Sequence, residues 1–487
     1  RKLIYRDRKL TNEFVSATSS AERILGRASN GEVFASSSGS EGIVGPGFKT
    51  TTTEIEANVF FRKNGIDGPL VSPVDDTYAG IYQRSNLTVT FNQTMNVESI
   101  NFNIPSFIPT NADLYTLRVY PENNITSSQS LNLFFMDIRK NTTVKEIVNY
   151  LRERNVTYVK VGITDIDGII RGKYMHVDKF IKSVKEGFGF CDVIFGWDSS
   201  DELYSFPNNK EKPFTGWHTG YPDQLANVVI GTGRNNYFEG NTPLFLAELK
   251  DGQVCPRGVL KRVLQRLESI NLLARASLEY EFFLFKETSE TIRKKKYKNL
   301  NNFTPGMFGY SILRSSVHAE LYQEILSMCS SMDMDLEGLH TETGPGVIEA
   351  AISVDEGLAS ADKASLFKTF SKILAQRHEL MATFMAKWSP DFPGQSGHLH
   401  HSLWNKNGTS AFYDGSEMHG MSKTMKHFLA GQLQLLPKVL PMIAPTINSY
   451  SRMIKGFWAP TNANWGIDNR TCAMRVIAGS PKSQRIE

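Results

Sequence analysis

Two hydrophobic periods alternate along the chain after residue 142. In VKEIVNYLRE (144–153), Val144, Ile147, Val148 and Leu151 recur at helical spacing. VTYVKVGITDIDGIIRGKYMHV follows, two strand-like runs meeting at Asp167-Gly168, a favoured tight-turn pair. These pieces predict a small α/β unit over residues 140–245. Beyond it, RGVLKRVLQRLESI (257–270) and LASADKASLFKTFSKILAQRHEL (358–380) read as long amphipathic helices, and SLEYEFFLF (277–285) reads as a strand. Mixed order of this kind predicts an α+β domain over 246–487 rather than a regular doubly wound sheet. Residues 1–137 form a separate extension. Ser16–Thr53 is rich in Ser, Gly and Thr and reads as flexible, while LTVTF (87–91) and YTLRVY (115–120) read as short strands.

Composition narrows the functional classes. With 487 residues, two or three domains are expected. The balance of 54 basic against 50 acidic residues leaves a net charge of +4, too even to imply a nucleic-acid partner. The one basic run, RKKKYK (293–298), reads as a solvated loop. Cys191, Cys255, Cys329 and Cys472 lie far apart without a C-x-x-C pair, so neither a disulfide framework nor a zinc finger is expected. A reducing, cytoplasmic setting is the default. No apolar run approaches the roughly 20 residues that span a bilayer, so no membrane partner is expected. The chain starts at Arg1 without a leader pattern, so a true N-terminus upstream, with any targeting signal, is expected. A G-x-x-x-x-G-K-[ST] loop and a G-x-G-x-x-G turn are both lacking, so a nucleotide site would need another construction.

The chemistry concentrates in four segments. In PGQSGHLHHSLW (393–404), strand alternation puts His398, His400 and Ser402 on one face and Leu399, His401 and Leu403 on the other. That face suits a metal or phosphate site, or histidines bonded to nearby carbonyls; the segment alone leaves both open. In SLEYEFFLF, Glu279 and Glu281 share one face of an otherwise apolar strand, with Phe283 and Phe285 in the same phase. Adjacent buried carboxylates repel and lose hydration, and a divalent cation between them relieves both costs. In LHTETGPGVIEA, Glu342 and Glu349 flank Gly344-Pro345-Gly346, a bend that can bring them together. NRTCAMRVIAGSPKSQRIE gathers Arg470, Arg475, Lys482, Arg485 and Glu487, a set suited to polyphosphate as well as to an ordinary basic strand.

Taken in order, E-Y-E-F-F-L-F, E-T-G-P-G-V-I-E, S-G-H-L-H-H-S-L, N-S-Y-S-R (448–452), W-G-I-D-N-R (465–470) and S-P-K-S-Q-R-I-E resemble the glutamine synthetase family over residues 140–487. The resemblance implies an N-terminal β-grasp domain before a catalytic domain, with active sites between subunits of a homo-oligomeric ring. It implies an ATP-dependent ligase in which ATP phosphorylates the glutamate side chain and ammonia or a larger amine attacks the acyl phosphate. Glu281, Glu342 and Glu349 match the ligands of a first cation; Glu279, His398 and Glu487 match those of a second. Two to three Mg²⁺ or Mn²⁺ ions per site fit such oxygen-rich ligation better than zinc. Arg452 and Gly394 match substrate-binding positions, while Ser402, Arg470, Arg475, Lys482 and Arg485 match ATP-binding ones. Asp165 and Arg470 match catalytic positions, Asp165 as the aspartate that reaches a neighbouring subunit's site. His400 and His401 are not expected to be ligands.

Three departures qualify the expectation. Trp458 stands where ammonia-using members carry a glutamate, and tryptophan cannot accept the ammonium proton; relatives that join glutamate to polyamines resemble this sequence there. Pro393 and Val347 replace a usual asparagine and glutamine. The chain stops at Glu487 where the family continues, so an incomplete catalytic domain is expected. The lens protein lengsin, similar in fold but with much of its metal site lost, supplies the structural, inactive alternative; retention of all six ligands here favours an enzyme.

Overall fold

The computed structural model describes residues 138, 143–204, 213–240, 242–250 and 252–487, with the backbone of strands lying between Phe34 and Phe134. Contacts divide the chain into Arg1–Asp137 and Ile138–Glu487. In the first unit, strands Arg84–Thr90, Glu54–Arg62, Leu114–Pro121 and Gln129–Phe134 pair antiparallel in that spatial order. Apart from strand Phe34–Ser36, the flexibility expected of Ser16–Thr53 concerns residues outside those described.

The second unit opens with α1 (Val144–Glu153). Thr143 and Glu146 cap it reciprocally, satisfying two amide donors that the first turn leaves without partners. Then come β1 (Tyr158–Thr164), β2 (Ile170–His176), α2 (Val177–Glu186), β3 (Phe188–Cys191), β4 (Asp223–Asn235) and β5 (Pro243–Leu249). They form a five-stranded sheet, β2-β1-β5-β4-β3, with β1 and β5 parallel. Val159, Val161 and Ile163 alternate into its core, where Phe180 of α2 meets Phe245 of β5 at 4.7 Å. Gly168 takes φ +77° in the β1–β2 turn, the left-handed geometry the Asp-Gly pair predicts.

The next part builds a larger sheet. α3 (Pro256–Ser269), β6 (Leu272–Phe285), α4 (Ser289–Lys294), α5 (Ile312–Val317) and α6 (Ala319–Ser331) lead to β7 (Leu336–Thr341), β8 (Val347–Ile352), β9 (Asp355–Glu356), α7 (Gly357–Arg377) and β10 (Met381–Thr383). After these follow β11 (Gly397–Asn405), α8 (Lys423–Ile443), α9 (Ile447–Arg452), β12 (Trp465–Ile467), β13 (Met474–Ile477) and β14 (Arg485–Ile486). The strand order is β7-β8-β6-β11-β14-β13-β12, with β9 and β10 also on β6.

The pleat of β6 separates core from chemistry. Phe282 and Leu284 point into a cluster with Ile325 and Met328 of α6 and Phe367, Phe370 and Leu374 of α7. Each fully buried side chain of this size stabilises the fold by about 1.5–3 kcal/mol. Glu279 and Glu281 therefore face the other way. At the end of that second face, Phe283 and Phe285 pack on Val347 and Trp388, sealing it with apolar rings.

Some boundaries differ from the sequence pattern. α7 ends at Arg377 rather than 380, because Glu379 adopts φ +57° and turns Leu380 back into the core. β6 begins five residues earlier than expected, extended by its pairing with β11 from Leu272 onward. Within the basic run 293–298, Lys295 pairs with buried Glu287 while the other lysines are exposed. The four cysteines are free. Among the described residues, no helix is long and apolar enough to cross a membrane.

Candidate active site

Cross-strand register assembles the carboxylates. β6 runs antiparallel to β8 and β11, setting Glu281 opposite Glu349 and Glu279 opposite His398. β7 pairs with the far side of β8 and sets His340 opposite Glu349. Three clusters of potential ligand atoms, each within 4.8 Å, follow from this register: Glu279 with Glu349 and His398; Glu279 with His400 and Glu487; Glu349 with His340 and Glu342. Glu279 and Glu349 link them into one patch. Glu281 lies outside these clusters, and its Oε2 accepts the Ser396 amide at 2.7 Å.

Charge in this patch is poorly compensated. His398 Nδ1 lies 2.7 Å from Glu279 Oε2 and 3.8 Å from Glu349 Oε1. Burial alone would lower the His398 imidazole, but Glu279, Glu281 and Glu487 push it up to about 9. Burial, then the charges of Glu281 and Glu279, push the Glu349 carboxyl up to about 8. Burial likewise raises Glu281, against the Ser396 hydrogen bond. Glu279 is the exception: burial would raise it, but the hydrogen bonds and charges of His398 and His400 hold it well below the usual carboxylate range. Glu342 Oε2 is buried without a hydrogen-bond partner. Clustered, partly buried carboxylates whose mutual repulsion raises Glu349 and Glu281, beside an orphan oxygen, are a donor set that a hard divalent cation would neutralise on displacing their protons.

A pH dependence follows. A cation bound through Glu349 and His398 would displace their protons, so Mn²⁺ affinity at such a site should rise from pH 6 toward about 8–9, by up to about tenfold per pH unit for each proton released. Calorimetric titration in buffers of differing ionisation enthalpy reads this proton release directly.

The remaining positions separate into two groups. Arg452 lies beside the carboxylates, in charge interaction with Glu281, and donates to the carbonyls of Phe457 at 2.9 Å and Trp458 at 3.5 Å. Its path is open only because Gly394 lacks a Cβ, which would fall on Arg452 Cδ. Trp458 takes φ +57°, rare for a bulky residue, and is 71% exposed. Arg475 is held by Asp468 and, at 2.6 Å, by Glu487, so in this chain it positions the second cluster's carboxylate. Ser402 is buried and accepts the Trp404 indole N–H at 2.9 Å. Arg485 reaches His400, while Arg470 and Lys482 are exposed.

Asp165 is held locally. It is 1% exposed; its Oδ1 accepts the amides of Asp167 and Ile169, and its Oδ2 pairs with Arg171 at 2.9 Å. Within the chain, then, its carboxylate shapes its own turn. Conversely, the sequence pattern did not single out His340, which lies 3.8 Å from Glu342 and 3.7 Å from Glu349 beneath the ring of Tyr310. The i, i+2 spacing of His340 and Glu342 was the available signal.

Comparison with known proteins identifies the family. Residues 253–487 match the family model described as glutamine synthetase, catalytic domain. The chain is 45% identical over 347 residues to type-1 glutamine synthetase 2 of Dictyostelium discoideum, covering 70% of this chain and 65% of that protein's length. It is 30% identical over 350 residues to the glutamate–isopropylamine ligase of a Pseudomonas species, covering 71% and 75%. A solved structure titled GmaS/ADP complex superposes with a TM-score of 0.59 at 23% identity, over 71% of this chain and 75% of the other, a likeness of fold. With its sheet-borne carboxylates and these relatives, the chain belongs to the glutamine synthetase family.

Proposed function

We propose that this chain supplies the catalytic machinery of an ATP-dependent glutamate–amine ligase. The observation that carries the reading is the convergence of Glu279, Glu342, Glu349, His398 and Glu487 on one face of the sheet, with Glu281 beside them. Glu281, Glu342 and Glu349 would hold one cation and Glu279, His398 and Glu487 a second; carboxylate-rich ligation fits Mg²⁺ or Mn²⁺. Such ions would offset charge on the transferring phosphoryl group. Arg452 orients the substrate carboxylate, and Arg470, Lys482 and Arg485 face the nucleotide phosphates. The glutamate side-chain oxygen takes the γ-phosphoryl group as ADP leaves. The amine nitrogen then attacks the activated carbon, phosphate departs, and a base removes the nitrogen's proton. The five-stranded sheet of β1–β5 serves as the β-grasp domain, and the site is completed by a neighbouring subunit in a ring.

Two amines fit. The Dictyostelium relative's name supports ammonia. Trp458, exposed and without a titratable group, supports a larger amine with an apolar body. ADP release from ATP, Mg²⁺ and glutamate, measured with ammonium and with primary amines up to isopropylamine, separates them. Turnover with at least one amine is expected, and Trp458→Glu should shift preference toward ammonium. Absence of ADP release with every amine would favour a structural role.

A further inference from the structure

His400 occupies an unusual place beside the carboxylates. It is 7% exposed, and its Nδ1 receives the Arg485 Nε–H at 3.1 Å. Its Nε2 lies 3.2 Å from Glu279 Oε1, off the line of an ideal hydrogen bond, with no other acceptor, and Glu487 completes the cluster. A buried imidazole nitrogen among carboxylates can do one of two things. Its lone pair can bind a cation, or its N–H can hold a carboxylate in place.

Arg485 decides between them. A guanidinium only donates and does not lose its proton in a protein. The Nδ1 it faces must therefore present a lone pair, and a neutral imidazole then carries its single N–H on Nε2. An N–H at Nδ1, whether in the other tautomer or in the imidazolium, would set two donors against each other at 3.1 Å. We infer that Arg485 locks His400 in the Nε2–H tautomer, so that His400 is not a cation ligand but a positioning residue that holds Glu279 Oε1. Glu279 Oε2, the oxygen beside His398, would then be the one offered to a cation. Arg485 thereby acts on the cation site through the histidine as well as on any nucleotide. A hydrogen-bonding partner of this kind typically changes metal affinity about 10–100-fold when removed.

The inference rests on the two-cation reading, and Mn²⁺ bound to the nucleotide-free full chain tests both separately. Pulsed electron paramagnetic resonance detects ¹⁴N coupling from imidazole bonded to Mn²⁺, and calorimetry gives the affinity. His400→Gln places an amide N–H near Nε2, whereas His400→Asn and His400→Ala do not. The ¹⁴N signal of the wild type should persist unchanged in His400→Gln, with affinity within about threefold. His400→Asn and His400→Ala should keep the ¹⁴N signal but bind about 10–100-fold more weakly. Loss of a ¹⁴N coupling in His400→Gln, or equal weakening by Gln and Asn, would overturn the tautomer lock while leaving the cation site standing. A wild-type chain that binds no Mn²⁺ would overturn the cation site and this inference with it.

Discussion

Replacing Glu349 by glutamine should abolish turnover while making the cation-free protein more stable at pH 8. Glu349 faces Glu281 across the β6–β8 pair and lies within one cluster with Glu279 and His398. Its carboxyl is pushed up to about 8 by burial and by these anions. A folded value above the unfolded one means that the native state favours the protonated form. The resulting destabilisation is absent below about pH 4.5 and grows as pH rises toward 8. Glutamine removes it, for a gain on the order of 2 kcal/mol at pH 8, since each tenfold change in proton affinity corresponds to about 1.4 kcal/mol and loss of the 3.8 Å His398 contact offsets part. Chemical denaturation at pH 4.5 and pH 8 should show the gain only at the higher pH. Activity should fall by about a thousandfold or more, because the amide lacks the charge a cation needs. A variant less stable at pH 8 would show that the patch is not frustrated.

Gly394→Ala should raise the KM for glutamate by about 30–100-fold with a smaller change in kcat. The added methyl would fall on Arg452 Cδ and sit 2.5 Å from the Ala386 carbonyl, so the arginine must leave its place. Arg452 also bonds the Phe457 and Trp458 carbonyls, and the turn that presents Trp458 would loosen with it. Loss of a charge-assisted hydrogen bond to a carboxylate costs about 2–3 kcal/mol, which sets the expected factor. Steady-state kinetics with glutamate varied would reveal the split; an unchanged KM would remove Arg452 from the substrate site.

Much of this arrangement was legible locally. The helical spacing of Val144, Ile147 and Leu151, the alternation of Glu279 and Glu281 with buried aromatics, and the Asp167-Gly168 turn each depend on neighbours within a few residues. What escaped local reading is set by the folded arrangement of partners, some distant and some close in sequence. His340 joins the site through the register of β7 on β8, and Arg475 is engaged by Asp468 and Glu487. Asp165 looked available as a motif position, but its carboxylate is enclosed by Arg171 and two amides of its own turn. Side-chain identity suggested these chemistries, and only the folded chain, through local turns as well as strand register, determined which groups were occupied.

The most direct test of the ligase reading needs no knowledge of the amine. ATP carrying ¹⁸O in the β–γ bridge is incubated with the protein, Mg²⁺ and glutamate, and the bridge oxygen is followed into the β-nonbridging positions. Reversible formation of a γ-glutamyl phosphate requires scrambling that depends on glutamate and Mg²⁺ and disappears in Glu349→Gln. Scrambling that is indifferent to glutamate, or absent although ATP and glutamate both bind, would contradict it.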